Sequence, residues 1–167
     1  MIRLGVVGVG RLGSLFARAL VEHPDVDELF LAGSRPDSAS ALAAELSATE
    51  CATPQQVFDA VDAVVIAAST SAHPELIGGA AARGIPIFCE KPLTLDLAST
   101  DEVIGTARDT GVELQVGFQR RFDRGYRAAR DAVAGGEVGD VYLVNAASLD
   151  PAPVSYTHLR AHETNES

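Results

Sequence analysis

The chain has 167 residues, 47% of them apolar and 5% aromatic with no Trp, and a formal net charge of −10. That length supports one domain with its own core, and the composition suits Val, Ile, Leu and Ala packed as in a parallel α/β sheet. So acidic a chain argues against nucleic acid or an anionic membrane as partner, and its anionic ligands must be held locally by backbone N–H groups and a few arginines. Cys51 and Cys89 lack metal-type spacing and read as reduced thiols in a cytoplasmic protein, with no metal site expected. No run reaches the length of a membrane span, no signal-peptide pattern precedes Gly5, and no solenoid repeat is present.

The apolar run Ile2 to Val7 reads as a strand, and Leu15 to Leu20 is apolar at helical spacing. Between them stands Gly8-Val9-Gly10-Arg11-Leu12-Gly13, a G-x-G-x-x-G turn. A strand, this turn and a helix in that order form a dinucleotide site. Gly8 allows the tight turn, Gly10 lets a pyrophosphate approach the backbone, and Gly13 lets helix and strand pack closely. The helix N-terminus adds free N–H groups and partial positive charge.

His23-Pro24 stops the first helix, and Glu28 to Gly33 reads as the second strand. An NAD site usually has a carboxylate about 20 residues beyond the glycine turn, on the ribose 2′-OH. Here Gly33-Ser34-Arg35 occupies that place, and the first carboxylate is Asp37. Room at Gly33, a donor at Ser34 and a cation at Arg35 favour NADP over NAD. A plain turn leading into Pro36 at a helix start is the alternative.

Pro36 to Leu46 reads as a helix, Glu50 to Ala52 as a short third strand, and Pro54 to Phe58 as one helical turn. Asp62 to Ala68 is a nearly continuous apolar run, hence a central strand buried on both faces. Ser69-Thr70-Ser71 ends it, so these hydroxyls lie near the ligand edge, cap the next helix, or both. That helix spans Ala72 to Arg83 with His73 and Pro74 in its first turn, where a His is ordinarily a capping or surface residue. Gly84 ends it as a C′ glycine.

Ile85 to Cys89 is the next strand, followed by Glu90-Lys91-Pro92. Lys91, partly desolvated and beside a carboxylate, can act as general acid or base or hold a substrate hydroxyl. A surface ion pair of little worth is the alternative. A loop and helix run from Leu93 to Ala107, and Glu113 to Phe118 reads as a sixth strand. Gln119 to Arg130 carries five arginines. A solvated helix face accounts for Arg124, Arg127 and Arg130, whereas Arg120 and Arg121 follow a strand end and are candidates for the ligand edge. Gly135-Gly136 breaks the helix, Val141 to Ala147 reads as a further strand, and Asp150 to Pro153 as a loop.

Four stretches in this order resemble the Gfo/Idh/MocA oxidoreductases. They are the glycine turn, Ala67-Ala68-Ser69-Thr70-Ser71-Ala72-His73, Cys89-Glu90-Lys91-Pro92-Leu93, and Val116-Gly117-Phe118-Gln119-Arg120-Arg121-Phe122-Asp123. The last is similar to the inositol 2-dehydrogenase branch. The resemblance runs from Met1 to about Pro153 and implies an α/β fold: a Rossmann-type doubly wound parallel sheet over 1–119, then the first strand of a truncated α+β second domain over 120–153. It implies that Thr70, His73 and Glu90 line the cofactor and that Lys91 is the active-site lysine that binds the reacting hydroxyl. The expected cofactor-binding set is Gly8, Gly10, Arg11, Leu12, Gly13, Ser34, Arg35, Ala68, Thr70, His73, Glu90, Lys91 and Arg121, with Lys91 also catalytic. The family's catalytic Asp and His belong to a later D-x-x-x-H motif, which this sequence lacks. The parent is then a homo-oligomer passing hydride between NAD or NADP and a ring hydroxyl of a small-molecule cyclitol or sugar. A sugar dehydrogenase with another substrate, a non-catalytic NAD(P)-binding module and an NAD(P) sensor are the alternatives.

Val154 to Thr164 resembles one reading frame of a widely used transposase sequencing adapter, at all eleven residues. Residues 154–167 are therefore expected to be a non-native tail, with the natural protein continuing past Pro153 and this chain inactive alone.

Overall fold

The structure, a computed structural model, describes residues 1–35 and 37–147. The expected loop at Asp150–Pro153, the adapter-like tail and Pro36 lie outside the described residues. The chain divides into two compact units, Met1–Phe122 and a second beginning at Asp123.

The first unit alternates strand and helix: β1 (Ile2–Val7), α1 (Arg11–Val21), β2 (Val26–Ala32), α2 (Ser40–Leu46), β3 (Thr49–Glu50), α3 (Pro54–Ala60), β4 (Ala63–Ile66), α4 (His73–Ala81), β5 (Ile87–Cys89), α5 (Leu97–Thr110) and β6 (Leu114–Val116). All six strands are parallel, in the order β3-β2-β1-β4-β5-β6. The chain thus winds outward from β1 in one direction, then returns to β4 and winds in the other. The crevice at that reversal is where such sheets bind ligands.

Strand side chains alternate between two cores. Val64 and Ile66 of β4 enter a core with α3 residues Val57 and Phe58, α4 residues Leu76 and Ile77, and Val103 of α5. Leu4, Val6 and Val65 enter the other, with Ala17 of α1 and Ala43 of α2. Both faces of β1 from Leu4 to Val7 and of β4 are covered, as their apolar runs require. Phe16 of α1 meets Phe88 of β5 edge to face, with ring centroids 5.6 Å apart. No helix among the described residues is long and apolar enough to cross a membrane.

Several boundaries differ from the sequence reading. The third strand is Thr49–Glu50 rather than Glu50 to Ala52, because Cys51 already turns away after its N–H bonds Leu31 O at 2.8 Å. The expected single turn at Pro54 is a seven-residue helix, capped by the Thr53 hydroxyl accepting from Gln56 N. The helix expected from Pro36 begins at Ser40, after Asp37 adopts a φ of 62°. A 3-10 turn at Thr70–Ala72 precedes α4, and another at Gln119–Arg121 follows β6.

The second unit holds α6 (Arg124–Ala134), whose N-cap Asp123 accepts from Tyr126 N at 3.0 Å. Arg124, Arg127 and Arg130 are exposed on it. The strand expected over Val141–Ala147 is not formed: these residues have no regular secondary structure. A strand exists through ladder hydrogen bonds to a neighbour, and no strand among the described residues lies after β6 to supply them. Tyr142 and Leu143 are accordingly 92% and 85% exposed.

Arg3 at the start of β1 grips Asp62 just before β4. Its Nη2 donates to Oδ1 at 2.7 Å, its backbone N–H donates to Oδ2 at 2.8 Å, and Asp62 N returns a bond to Arg3 O at 2.9 Å. The Arg3 hydrogen bonds lower the Asp62 carboxyl from 3.8 to about 2. A lowered folded-state value stabilises the fold above the unfolded value and stops doing so as pH falls through the folded one. The stability difference between wild type and Asp62→Asn is thus expected to be full above pH 3.8 and to close as pH falls through about 2, read as Tm against pH.

Candidate functional site

Backbone hydrogen bonds align the strand ends along one edge of the sheet. Gly8 N donates to Ala32 O, Ala67 N to Val7 O and Gly117 N to Cys89 O, each at 2.8 Å, and Glu90 N donates to Ile66 O at 2.9 Å. The turns after β1, β4, β5 and β6 are thereby fixed side by side.

The first of these is the glycine turn. Gly8 has a φ of 94°, and a Cβ there would lie 2.5 Å from Ala68 N and 2.6 Å from the Ala67 carbonyl carbon. A Cβ on Gly13 would run into the Gly8 carbonyl. At Gly10 it would meet nothing within 4 Å. Gly10 is also the N-cap of α1 and supplies no side-chain cap, so the first-turn N–H groups of an eleven-residue helix point outward. That is a cradle for an anion: bare backbone, open space and a helix N-terminus.

A cleft of about 730 Å³ opens there. It is lined by Val7–Gly10, by Gly33, Ser34, Arg35 and Ser38 after β2, by Ala52–Gln55 between β3 and α3, by Ala67–Ser69 after β4, and by Ala72, Glu75 and Leu76. The donor set, the open phosphate turn and the volume of the cleft fit a dinucleotide.

Of the expected residues, Gly8, Gly10, Ser34, Arg35 and Ala68 line this cleft, while Gly13 acts behind it by admitting α1. Arg11 and Leu12 are exposed on the first turn of α1, away from the lining. Thr70 is half-buried in the 3-10 turn. Neither the Ser69–Ser71 hydroxyls nor any other side chain caps that turn or α4, so the capping alternative does not hold. Ser69 faces the cleft instead. Arg121 is exposed in the turn after β6.

His73 is neither a surface residue nor a cap. It is 1% exposed, and its ring meets three backbone carbonyls. Lys91 is exposed rather than partly desolvated, and it forms no ion pair with Glu90. The Glu90 carboxylate instead accepts the Lys91 backbone N–H at 3.1 Å and lies over Gly117, where a Cβ would stand 2.8 Å from Glu90 Oε1. Gly117 thus leaves the Glu90 side chain its place and the Lys91 ammonium free. The Lys91–Pro92 peptide is cis.

Both cysteines are free thiols. Burial pushes Cys89 up to about 12 and raises Cys51 as well, so neither is poised as a nucleophile. The polar cleft residues missed in the sequence are Ser38, Thr53, Gln55 and Glu75. The topology was their signal, since the turn after the third strand of such a sheet opens on the same edge as the glycine turn.

Residues 2–118 match the profile of the oxidoreductase family with an NAD-binding Rossmann fold. The chain belongs to the Gfo/Idh/MocA oxidoreductase family. Within the family it is 33% identical over 162 residues to myo-inositol 2-dehydrogenase of Thermotoga maritima, covering 95% of this chain and 48% of that protein. It is 37% identical over 159 residues to inositol 2-dehydrogenase of Rhizobium meliloti, covering 93% and 48%. Among solved structures, scyllo-inositol dehydrogenase of Lactobacillus casei with bound NAD(H) and scyllo-inositol superposes with a TM-score of 0.77 at 28% identity, over 84% of this chain and 43% of that one. Myo-inositol 2-dehydrogenase of Lactobacillus plantarum gives a TM-score of 0.76 at 32% identity, over 84% and 43%. The chain spans about half the length of the curated relatives it matches, and it comprises their NAD-binding part.

The first two glycines of the turn are expected to fail differently. Gly10→Ala, with open space and ordinary backbone, should keep stability within about 0.5 kcal/mol yet weaken dinucleotide binding. Gly8→Ala should itself lose about 1–3 kcal/mol, from left-handed strain and the clash with Ala67 and Ala68. Urea unfolding and NADH fluorescence titration of each variant check this.

Proposed function

We propose that this chain is the cofactor half of a cytoplasmic, homo-oligomeric dehydrogenase that oxidises a ring hydroxyl of a cyclitol, with NADP preferred over NAD. The observation that carries the reading is the placement of Glu90 and Lys91 on the turn after β5, bonded alongside the β4 turn whose Ala67–Ser69 line the dinucleotide cleft. The names of the matched relatives, inositol dehydrogenases among them, support the substrate class.

The Lys91 ammonium holds the substrate oxygen and stabilises the negative charge that grows on it as its proton leaves. A base outside residues 1–147 takes that proton. The nicotinamide, when bound, supplies the hydride acceptor for the carbinol hydrogen. The backbone of Gly8–Gly13 holds the pyrophosphate, and Ser34 and Arg35 meet the 2′-phosphate. Glu90 keeps the Lys91 backbone in place through its 3.1 Å bond.

The protein to test is one of full family length, since this chain spans about half the length of the curated relatives it matches. Lys91→Ala is expected to lower kcat about 10²–10³-fold with a smaller effect on NADPH affinity, since Lys91 is outside the cleft lining; retained turnover would show a binding module or sensor instead. Arg35→Ala is expected to weaken NADPH about tenfold or more and NADH hardly at all. Equal effects on the two would overturn the NADP preference. The 167-residue chain itself is expected to bind dinucleotide without turnover.

A further inference from the structure

His73 is a buried titratable group that the chemistry above does not use. It occupies the first position of α4, and a side chain there leans back toward the preceding turn. Its Nε2 lies 3.2 Å from the Ala68 carbonyl oxygen, on the cleft wall. Its Nδ1 lies 3.1 Å from the carbonyl oxygens of both Pro92 and Leu93, directly after Lys91. A carbonyl accepts and never donates, so each ring nitrogen bonds here only while it carries a proton, and the neutral ring carries one.

The loop that holds Lys91 needs such a tie. Pro92 has no N–H, so at that residue the backbone can be held only through its carbonyl. Further along, the Thr94 hydroxyl donates to Asp96 O at 2.8 Å and meets the Thr100 hydroxyl at 2.5 Å, which anchors the far end of the loop to α5. Glu90 anchors the near end. Between them, His73 is the polar tie on the stretch after Lys91 among the described residues.

We propose that His73 is a positioning residue: its Nδ1–H, donating to the Pro92 and Leu93 carbonyls, fixes where Lys91 stands relative to the dinucleotide cleft. This rests on the reading of Lys91 as the residue that holds the substrate oxygen. His73 touches no reacting atom and acts through the loop.

The two nitrogens can be separated by substitution. His73→Asn keeps a donor near the Nδ1 place, and His73→Gln keeps one near the Nε2 place. In the full-length protein, His73→Asn is expected to hold kcat within about threefold of wild type, whereas His73→Gln lowers it about 10²-fold, as a misplacement of about 1 Å can. The NADPH dissociation constant should change less than kcat in both, because His73, expected to line the cofactor, is buried outside the cleft lining. Hydrogen exchange at the amides of Lys91, Leu93 and Thr94 should quicken about tenfold or more in His73→Gln alone, with the β1–β4 amides unaffected. Equal behaviour of the two variants in turnover and exchange overturns the proposal, whether both are intact, both are impaired in step with Tm, or both fail to fold. Turnover retained in Lys91→Ala would sink the catalytic reading instead, and the exchange contrast would still decide whether Nδ1 holds the loop.

Discussion

The structure depends on how closely one turn of backbone approaches another. At Gly8 the chain leaving β1 lies against Ala67 and Ala68, with no room for a methyl group between them. Gly13 lets α1 down onto the Gly8 carbonyl in the same way. These two approaches bring the ends of β1 and β4 and the start of α1 to a single point, where three elements offer backbone to one ligand. The rest of the first unit supports that point. Two cores clamp the central strands from both faces, and the Arg3–Asp62 grip ties β1 to β4 at the end remote from the ligand.

Burial needs explain which elements could be read from the sequence. The runs that became β1 and β4 are apolar from Leu4 to Val7 and from Ala63 to Ile66 because both faces are covered, and the glycine turn is legible because Gly8 and Gly13 answer steric demands. The short edge strand β3 was displaced by one residue: two residues carry too little pattern to mark an end. The length of α3 was missed because Val57 and Phe58 were seen as apolar without the turn that follows them. Val141–Ala147 shows the opposite error. Its Val and Tyr residues suit a strand, but pairing depends on a neighbour, and a propensity does not provide one.

The candidate site divides along the same line. Gly8 and Gly10, expected from the glycine spacing, and Ser34 and Arg35, expected after a strand end, all line the cleft. Two placements were not legible. Lys91 stands exposed because Glu90 turns toward Gly117 and takes the Lys91 amide rather than its ammonium. His73 is buried where three carbonyls from two loops surround it, a constellation whose members lie 5, 19 and 20 residues away and are invisible in local sequence. Side-chain environment built by distant loops has no periodicity to read.

The two thiols have a practical consequence. Cys89 is shut inside the β5 core and held far from its thiolate, while Cys51 is only half-covered, next to the β3–α3 side of the cleft. An alkylating fluorophore would therefore enter at Cys51 ahead of Cys89, next to the cleft-lining Ala52, once the pH is high enough to form the thiolate that burial disfavours. The chain carries its own single-site attachment point, so a reporter of cleft occupancy needs no engineered cysteine and no cysteine removed.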